Sequence, residues 1–524
     1  MQAPIIQLPD VFNAAHEFVD RHVEAGRADR IALRCEGRTL TYGQVAEMVN
    51  RVGNALQALG VDMENRVLLL LYDSPEFAVS FFGAMKIGAV PVPVNTMMRA
   101  QDYAYFLNDS RAKVLIAHRP LWDEVAKVRH QLKYLKHVVI VGAPAADQQA
   151  FDRWMAAASS GLEPAPTSKD DAAFWLYSSG STGFPKGAVH LHHDMVYCAD
   201  LYARPILDIG PDDITFSAAK LFFAYGLGNN LYFPFRVGAS AVLYPGRPLP
   251  ETMFEIITRD KPTIFFGVPT LYAAMLATRD AETRYDLSSL RLCVSAGEAL
   301  PPDLFKRWQE RFGTEILDGI GTTEVLHIFI SNQAGRVKPG SSGVVVPGYE
   351  AKIVDEEERR VEPGAIGNLL VKGESTCAYY WNQHEKTKQT IKGEWIVTGD
   401  KYYQDEEGYY WYAGRADDML KVGGIWVSPI EVENTLIQHP AVLESAVVGH
   451  EDDDHLVKPK AFVALNEGYT ASSALIDELK NFVKDKIAPY KYPRWITFLP
   501  ELPKTATGKI QRFKLREHAA TPDV

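Results

Sequence analysis

The sequence predicts an α/β protein of at least two domains. Three observations carry that expectation. The chain has 524 residues, more than one hydrophobic core usually supports. Short apolar runs alternate with amphipathic stretches along most of it, and the pattern changes near residue 414. Val67–Tyr72, Val114–Ala117, Val138–Val141, Thr263–Gly267 and Leu290–Ser295 read as buried strands. After Pro301-Pro302, a sound helix start, Phe305, Trp308 and Phe312 recur at helical spacing. Strands alternating with helices argue for largely parallel sheets.

Between about 335 and 413, short strands such as Ala351–Val354 and Asn368–Val371 are separated by Gly, Pro and charged turns, the mark of a small β-rich unit. The boundary falls at Gly414–Asp418, giving domains 1–415 and 416–524. Beyond it, Ser428-Pro429-Ile430-Glu431 reads as an N-cap, an N1 proline and a capping-box Glu. A later helix gathers Leu475, Ile476, Leu479, Phe482 and Val483 on one face.

Composition narrows the function. Hydrophobic residues at 47% and charged residues at 23% describe a globular chain rather than a disordered one. A formal net charge of −11 reads against nucleic acid held by an overall field, so an anionic ligand needs local groups. Cys35, Cys198, Cys293 and Cys377 are scattered without a CxxC pair, which favours reduced thiols in a cytoplasmic setting over zinc or disulfides. The first residues lack the basic start and apolar core of a signal peptide, and no apolar run reaches membrane-spanning length. A homodimer is left open.

The strongest local signal is Tyr177-Ser178-Ser179-Gly180-Ser181-Thr182-Gly183-Phe184-Pro185-Lys186-Gly187. Its glycines permit tight turns that expose amide N–H groups, and hydroxyls and a lysine lie among them, a composition suited to polyphosphate. It is not a Walker A loop, because G-x-x-x-x-G-K-[ST] is absent. Asp318-Gly319-Ile320-Gly321-Thr322-Thr323-Glu324 is a strand-end turn whose Thr and Glu suit phosphate and Mg²⁺. Thr398-Gly399-Asp400, the segment Gly414–Gly424, and Leu502–Arg512 with Gly508-Lys509 say little alone.

In this order, these segments resemble the adenylate-forming superfamily of acyl-CoA synthetases, luciferases and peptide-synthetase adenylation domains, from Leu40-Thr41-Tyr42 to Lys509. The resemblance implies a large N-terminal domain of two α/β sheets plus a small β-barrel, with a small mobile α+β C-terminal domain. It implies ATP, Mg²⁺ and coenzyme A. It places Ser178, Ser181, Thr182 and Lys186 in the phosphate loop, and Ala296, Gly297 and Glu298 beside adenine. Asp318 and Gly319 also lie on the adenine side. Thr323 falls on the α-phosphate, Glu324 on Mg²⁺, and Asp400 with Arg415 on the ribose. Asp417 matches the hinge. Lys509 matches the lysine of adenylation and Lys421 the lysine that faces the site for thioester formation. The chain departs from many relatives in Ile320, where an aromatic stacks on adenine, and in Phe223, where they carry His.

Glu324-Val325-Leu326-His327-Ile328-Phe329 and Phe223-Ala224-Tyr225-Gly226 resemble the benzoate–CoA ligase branch. An aromatic carboxylic acid needs a short apolar slot, and the resemblance lines it with Phe223, Ala224, Tyr225, Gly226, His327 and Ile328. The plainer alternative makes the aromatics core and His327 a satisfied buried histidine. A medium-chain fatty acyl–CoA ligase is one rival. A stand-alone adenylation enzyme that loads a carrier protein is another, although no serine attachment site follows Lys509. A non-catalytic binding protein is disfavoured, because Lys186, Glu324, Asp400, Arg415, Lys421 and Lys509 are all present.

Overall fold

Six parallel strands form the centre of the largest sheet, in the order Ile316–Gly321, Leu292–Ser295, Ile264–Gly267, Ile214–Ser217, Ser240–Leu243 and Ile31–Cys35. Ile328–Ser331 with Val344–Val345 extends one edge, and Arg38–Thr41 the other, all antiparallel. The protein is seen here as a computed structural model that describes residues 3–178, 185–415, 418–422, 425–452, 456–504 and 510–519. A second, parallel sheet runs Val90–Pro93, Arg66–Leu70, Val114–His118, His137–Val141 and Gln149–Ala150. The strands expected from apolar runs therefore all form. They are buried on both faces, as parallel strands covered by helices must be.

Helices form where local signals agree. Thr41 and Gln44 cap Tyr42–Ala58 reciprocally, and Val45, Val49, Val52 and Leu56 turn one stripe inward. Pro302–Phe312 buries Leu304, Phe305 and Trp308, and ends at Gly313 in the left-handed region. An antiparallel ladder of Tyr379–Tyr380, Lys186–Leu191 and Ala172–Ser178 packs Trp175 and Val189 against the second sheet. The small β unit is a five-stranded antiparallel sheet built from Glu350–Val354, Gly367–Lys372, Ile391–Lys392, Trp395–Gln404 and Tyr410–Arg415.

Past residue 418 a separate core begins. Val427, Val432, Leu436, Val447, Val463, Leu479 and Val483 pack together around Val442–Glu451, Val457–Leu465 and Trp495–Phe498. Ser428 caps its helix as expected by accepting the Glu431 N–H. Glu431 does not close the capping box: its carboxylate takes both oxygens to Lys491 Nζ, at 2.6 Å each. An ion pair that engages both carboxylate oxygens outweighs a single bond from one backbone N–H. No helix of the described residues is long and apolar enough to cross a membrane.

Candidate active site

The two ends of the phosphate-loop motif meet in a ladder. Ser178 and Lys186 are register partners across the antiparallel pair. On the other side of the same strand, Tyr380 pairs with Ala188, which carries its ring to Lys186. Glu324 enters from a one-turn helix, Thr323–Val325, at the end of strand Ile316–Gly321. These four side chains converge. Tyr380 Oη donates to Glu324 Oε1 at 2.6 Å, and Ser178 Oγ donates to the same oxygen at 3.1 Å. Lys186 Nζ donates to Tyr380 Oη at 3.1 Å, stands 4.3 Å from the ring centroid and 3.9 Å from Glu324 Oε1. Burial lowers the Lys186 ammonium, with Lys386 and Arg415 adding to it and Glu324 opposing. Burial and the Glu324 charge keep the Tyr380 phenol protonated well beyond its ordinary range.

The backbone of the turn is clamped. The Cys377 N–H donates to the Glu324 carbonyl at 2.7 Å, and Ser375 Oγ donates to the Val325 carbonyl at 2.8 Å. Leu326 then adopts φ 72°, ψ −36°, a left-handed conformation a buried leucine rarely holds. Gly321 is required nearby, because a Cβ there would lie 2.5 Å from the His327 carbonyl oxygen.

The residues expected on the nucleotide side come from several strands of the same domain. Burial pushes the Asp318 carboxyl well above the usual range. Its Oδ2 accepts the Leu300 N–H at 3.5 Å, while Oδ1 is buried with no hydrogen-bond partner among the described residues. An unanswered buried acceptor suits a ligand amino group. Gly319 packs under Ile328, and Ile320 is half-buried. Ala296, Gly297 and Glu298 follow strand Leu292–Ser295, and Glu298 Oε1 accepts the Ile510 N–H at 3.2 Å. That bond joins the C-terminal unit to the adenine-side segment, one residue beyond Lys509. Asp400 and Arg415 sit on neighbouring strands, Nη1 to Oδ1 at 3.1 Å, and Arg415 Nη1 also donates to the Thr398 carbonyl at 3.2 Å.

The residues of the expected acid slot lie on the other side of Leu326. Phe223 precedes the short helix Ala224–Leu227, which includes Tyr225 and Gly226. Tyr225 Oη donates to the carbonyls of Gly267 and Val294, both at 3.2 Å. His327 is 3% exposed, with Phe233, Tyr202 and Tyr225 at ring-centroid distances of 4.5, 5.4 and 5.5 Å. Its Nε2 bonds Asn229 Oδ1 at 3.0 Å, whereas its buried Nδ1 has no partner among the described residues. Burial pushes the imidazole down to about 3, so the ring is neutral. Ile328 is buried beside it.

The structure thus gathers Ser178, Lys186, Thr323 and Glu324 in one place, Asp400 with Arg415 in a second, and Ala224, Tyr225, His327 and Ile328 in a third. Ser181, Thr182, Asp417 and Lys509 lie outside the described residues. Lys421 is on strand Leu420–Val422, and its side chain is also outside them. Sequence reasoning missed Tyr380, Cys377 and Ser375. Their only signal was an aromatic run, Tyr379-Tyr380-Trp381, with no motif around it.

Comparisons with known proteins identify the family. Residues 19–381 match the model of the AMP-binding enzyme family, and residues 431–509 match the AMP-binding enzyme C-terminal domain. A benzoate–CoA ligase of Thauera aromatica is 53% identical over 98% of this chain and 97% of its own. A solved structure of an anthranilate CoA ligase in complex with anthranoyl-AMP superposes with a TM-score of 0.94 at 49% identity, covering 98% of both chains. A benzoate CoA ligase structure from Burkholderia xenovorans gives a TM-score of 0.89 at 46% identity, over 96% of this chain and 100% of the other.

Proposed function

The chain belongs to the AMP-binding enzyme family, and from that premise we propose that it is an ATP-dependent benzoate–CoA ligase. It joins an aryl acid to AMP with loss of pyrophosphate, then passes the acyl group to coenzyme A and releases AMP. The observation that carries this reading is one short segment, Thr323–Ile328. It carries Glu324, beside Lys186, at one end and a buried aromatic enclosure at the other. Full-length likeness to a benzoate–CoA ligase supports the acid class.

A carboxylate is a weak nucleophile and must approach a triphosphate of its own sign. Lys186, with Ser178, Ser181 and Thr182, offsets that repulsion at the phosphates. The acid oxygen attacks the α-phosphorus near Thr323, and the bond to pyrophosphate breaks. Glu324, a carboxylate flanked by a phenol and an alcohol, suits a hard cation bound through one protein carboxylate and the substrate phosphates. Among the described residues no cluster of three or more His, Cys, Asp or Glu could cage a metal alone. When bound, Mg²⁺ would neutralise phosphate charge. Asp318 accepts from the adenine amino group, and Asp400 with Arg415 holds the ribose. Ala224, Tyr225, His327 and Ile328 wall the aryl ring, with Phe223 and Gly226 at the helix that bounds it. The thiolate of CoA then attacks the acyl carbon and AMP leaves, so no covalent enzyme nucleophile is needed. This accords with four buried free cysteines and a cytoplasmic setting.

We assign the boundary to 415/416, the hinge to Asp417, adenylation to Lys509 and thioester formation to Lys421. The Ile510–Glu298 contact supports the first orientation, since it brings the residue after Lys509 to the adenine side. The sequence offers two basic candidates for the CoA nucleotide, Lys458 and Lys460; Lys460 is 1% exposed and unsuited to that role at the surface. The test is CoA-dependent AMP release across aryl and alkyl acids. Benzoate should exceed octanoate in kcat/KM. Preference for octanoate moves the assignment to a medium-chain ligase, and turnover only with a carrier-protein thiol makes it an adenylation enzyme.

A further inference from the structure

We propose that His190 is a positioning residue for adenylate formation: paired with Asp194, it holds the Thr323 carbonyl and so sets the turn that carries Glu324. The proposal rests on the functional reading above.

His190 lies on strand Lys186–Leu191, four residues after the phosphate-site lysine, with its side chain fully buried. Phe174 stacks on the ring at 5.2 Å and 18°. Each nitrogen meets an acceptor: Nε2 the Thr323 carbonyl at 2.8 Å, Nδ1 the Asp194 carboxylate at 2.7 Å. A carbonyl only accepts, so Nε2 carries hydrogen. The Nδ1 contact needs a second proton, on the ring or on the carboxyl. Either way the pair is neutral as a unit, and no uncompensated charge is buried. Burial alone would raise Asp194. Bonds from His190 and His193 outweigh it and keep the carboxyl below its usual range. The Leu191 N–H donates to Asp194 Oδ2 at 3.1 Å, and His193 Nε2 lies 2.9 Å from Oδ1, so the carboxylate is itself fixed.

The consequence appears in the backbone. Thr323, Glu324 and Val325 present successive carbonyls, and each is taken by a donor from elsewhere in the chain: His190, the Cys377 N–H and Ser375. The His190 donor is itself held from behind by the Asp194 carboxylate, so the ring is fixed at both nitrogens. It fixes the peptide that joins Thr323, the proposed α-phosphate residue, to Glu324, the proposed metal residue, two positions before the strained Leu326.

The experiment separates the half-reactions in His190→Gln, His190→Phe and Asp194→Asn. ATP–pyrophosphate exchange reads adenylation; supplied benzoyl-AMP with CoA reads thioester formation. The Phe variant keeps the stacking and loses both bonds, and exchange should fall about 100-fold, the scale of a small misplacement of catalytic groups. The Gln variant can still donate to the carbonyl and should fall about tenfold, with Asp194→Asn between the two and more Mg²⁺ needed for half-maximal exchange. Thioester formation should stay within about threefold in all three. Exchange near the unmodified level in His190→Phe, or equal loss of both half-reactions in folded Gln and Asn variants, overturns the proposal. The functional reading fails separately, if the unmodified protein shows no exchange with any aryl acid.

Discussion

Glu324 and His327 sit three positions apart in one turn and live under opposite rules. Around Glu324 polar groups answer one another: Tyr380, Ser178 and Lys186 form a chain of donors and charges drawn from three strands. Around His327 four aromatic rings close in, and burial strips the imidazole of its charge. On the proposed reading, the first region keeps charge in place for a phosphate and the second removes it for a ring. Loss of one partner should therefore be costly at Glu324, where charge balance is at stake. At His327 it should be modest, where shape is at stake.

The largest effect tests the polar side. Glu324→Gln preserves shape and removes the hard-cation ligand, so ATP–pyrophosphate exchange should fall by roughly 100-fold or more with the fold intact. Near-normal exchange would remove Glu324 from the site and erase the contrast. Comparable losses are expected beyond the hinge, split by step. Lys509→Ala should stop adenylate formation yet still convert supplied benzoyl-AMP. Lys421→Ala should make adenylate and turn it over slowly, and Asp417→Pro should behave likewise by fixing φ at the pivot. Loss of the same step in both lysine variants, by single-turnover measurement, would refute the two-face mechanism.

Tyr380→Phe sharpens the polar side further. It deletes one charge-assisted bond, worth about 1.5–3 kcal/mol, so exchange should drop roughly tenfold or somewhat more. An unchanged rate would make Tyr380 a packing residue. His327→Ala and Ile328→Ala probe the other region. Both should widen the range of substituted rings and lower kcat/KM on benzoate by only about 1–3 kcal/mol. A loss as large as that of Glu324→Gln would collapse the distinction.

The smallest effect is on stability. His327 is neutral when folded, pushed down to about 3, whereas unfolded it takes a proton near 6.5. Its contribution is whole above the unfolded value and is lost as pH falls from there toward about 3. His192 and His22, pushed down to about 4, act in the same sense, and Asp73, pushed up to about 6, opposes them. The Tm of His327→Gln should fall less steeply between about pH 7 and about pH 4.5 than that of the unmodified protein. Parallel curves would show that the ring is not held neutral by the fold.

What could be read from the chain in advance was local or carried by motifs. The helix Pro302–Phe312 follows from proline, periodicity and a closing glycine within a dozen residues. Ser178, Lys186 and Glu324 came from the motif resemblance. Tyr380 did not, because it is 56 positions from the carboxylate it serves and reaches it through strand pairing with Ala188. His190 is 133 positions from Thr323 and has no motif of its own. Glu431 shows the same limit: a lysine 60 positions away overrode a capping box that the local sequence favoured.

The strained Leu326 has a practical consequence for anyone who would retune this enzyme. It joins the proposed ring-binding residues to the proposed phosphate-binding ones, and its neighbours on both sides are anchored to the body of the protein. Reshaping His327 or Ile328 therefore twists a peptide whose other end holds Glu324. Libraries aimed at new acids should trade ring scope against adenylation speed unless Thr323–Ile328 is transplanted as one block, together with Ser375 and Cys377. The two functions were not built as separable parts.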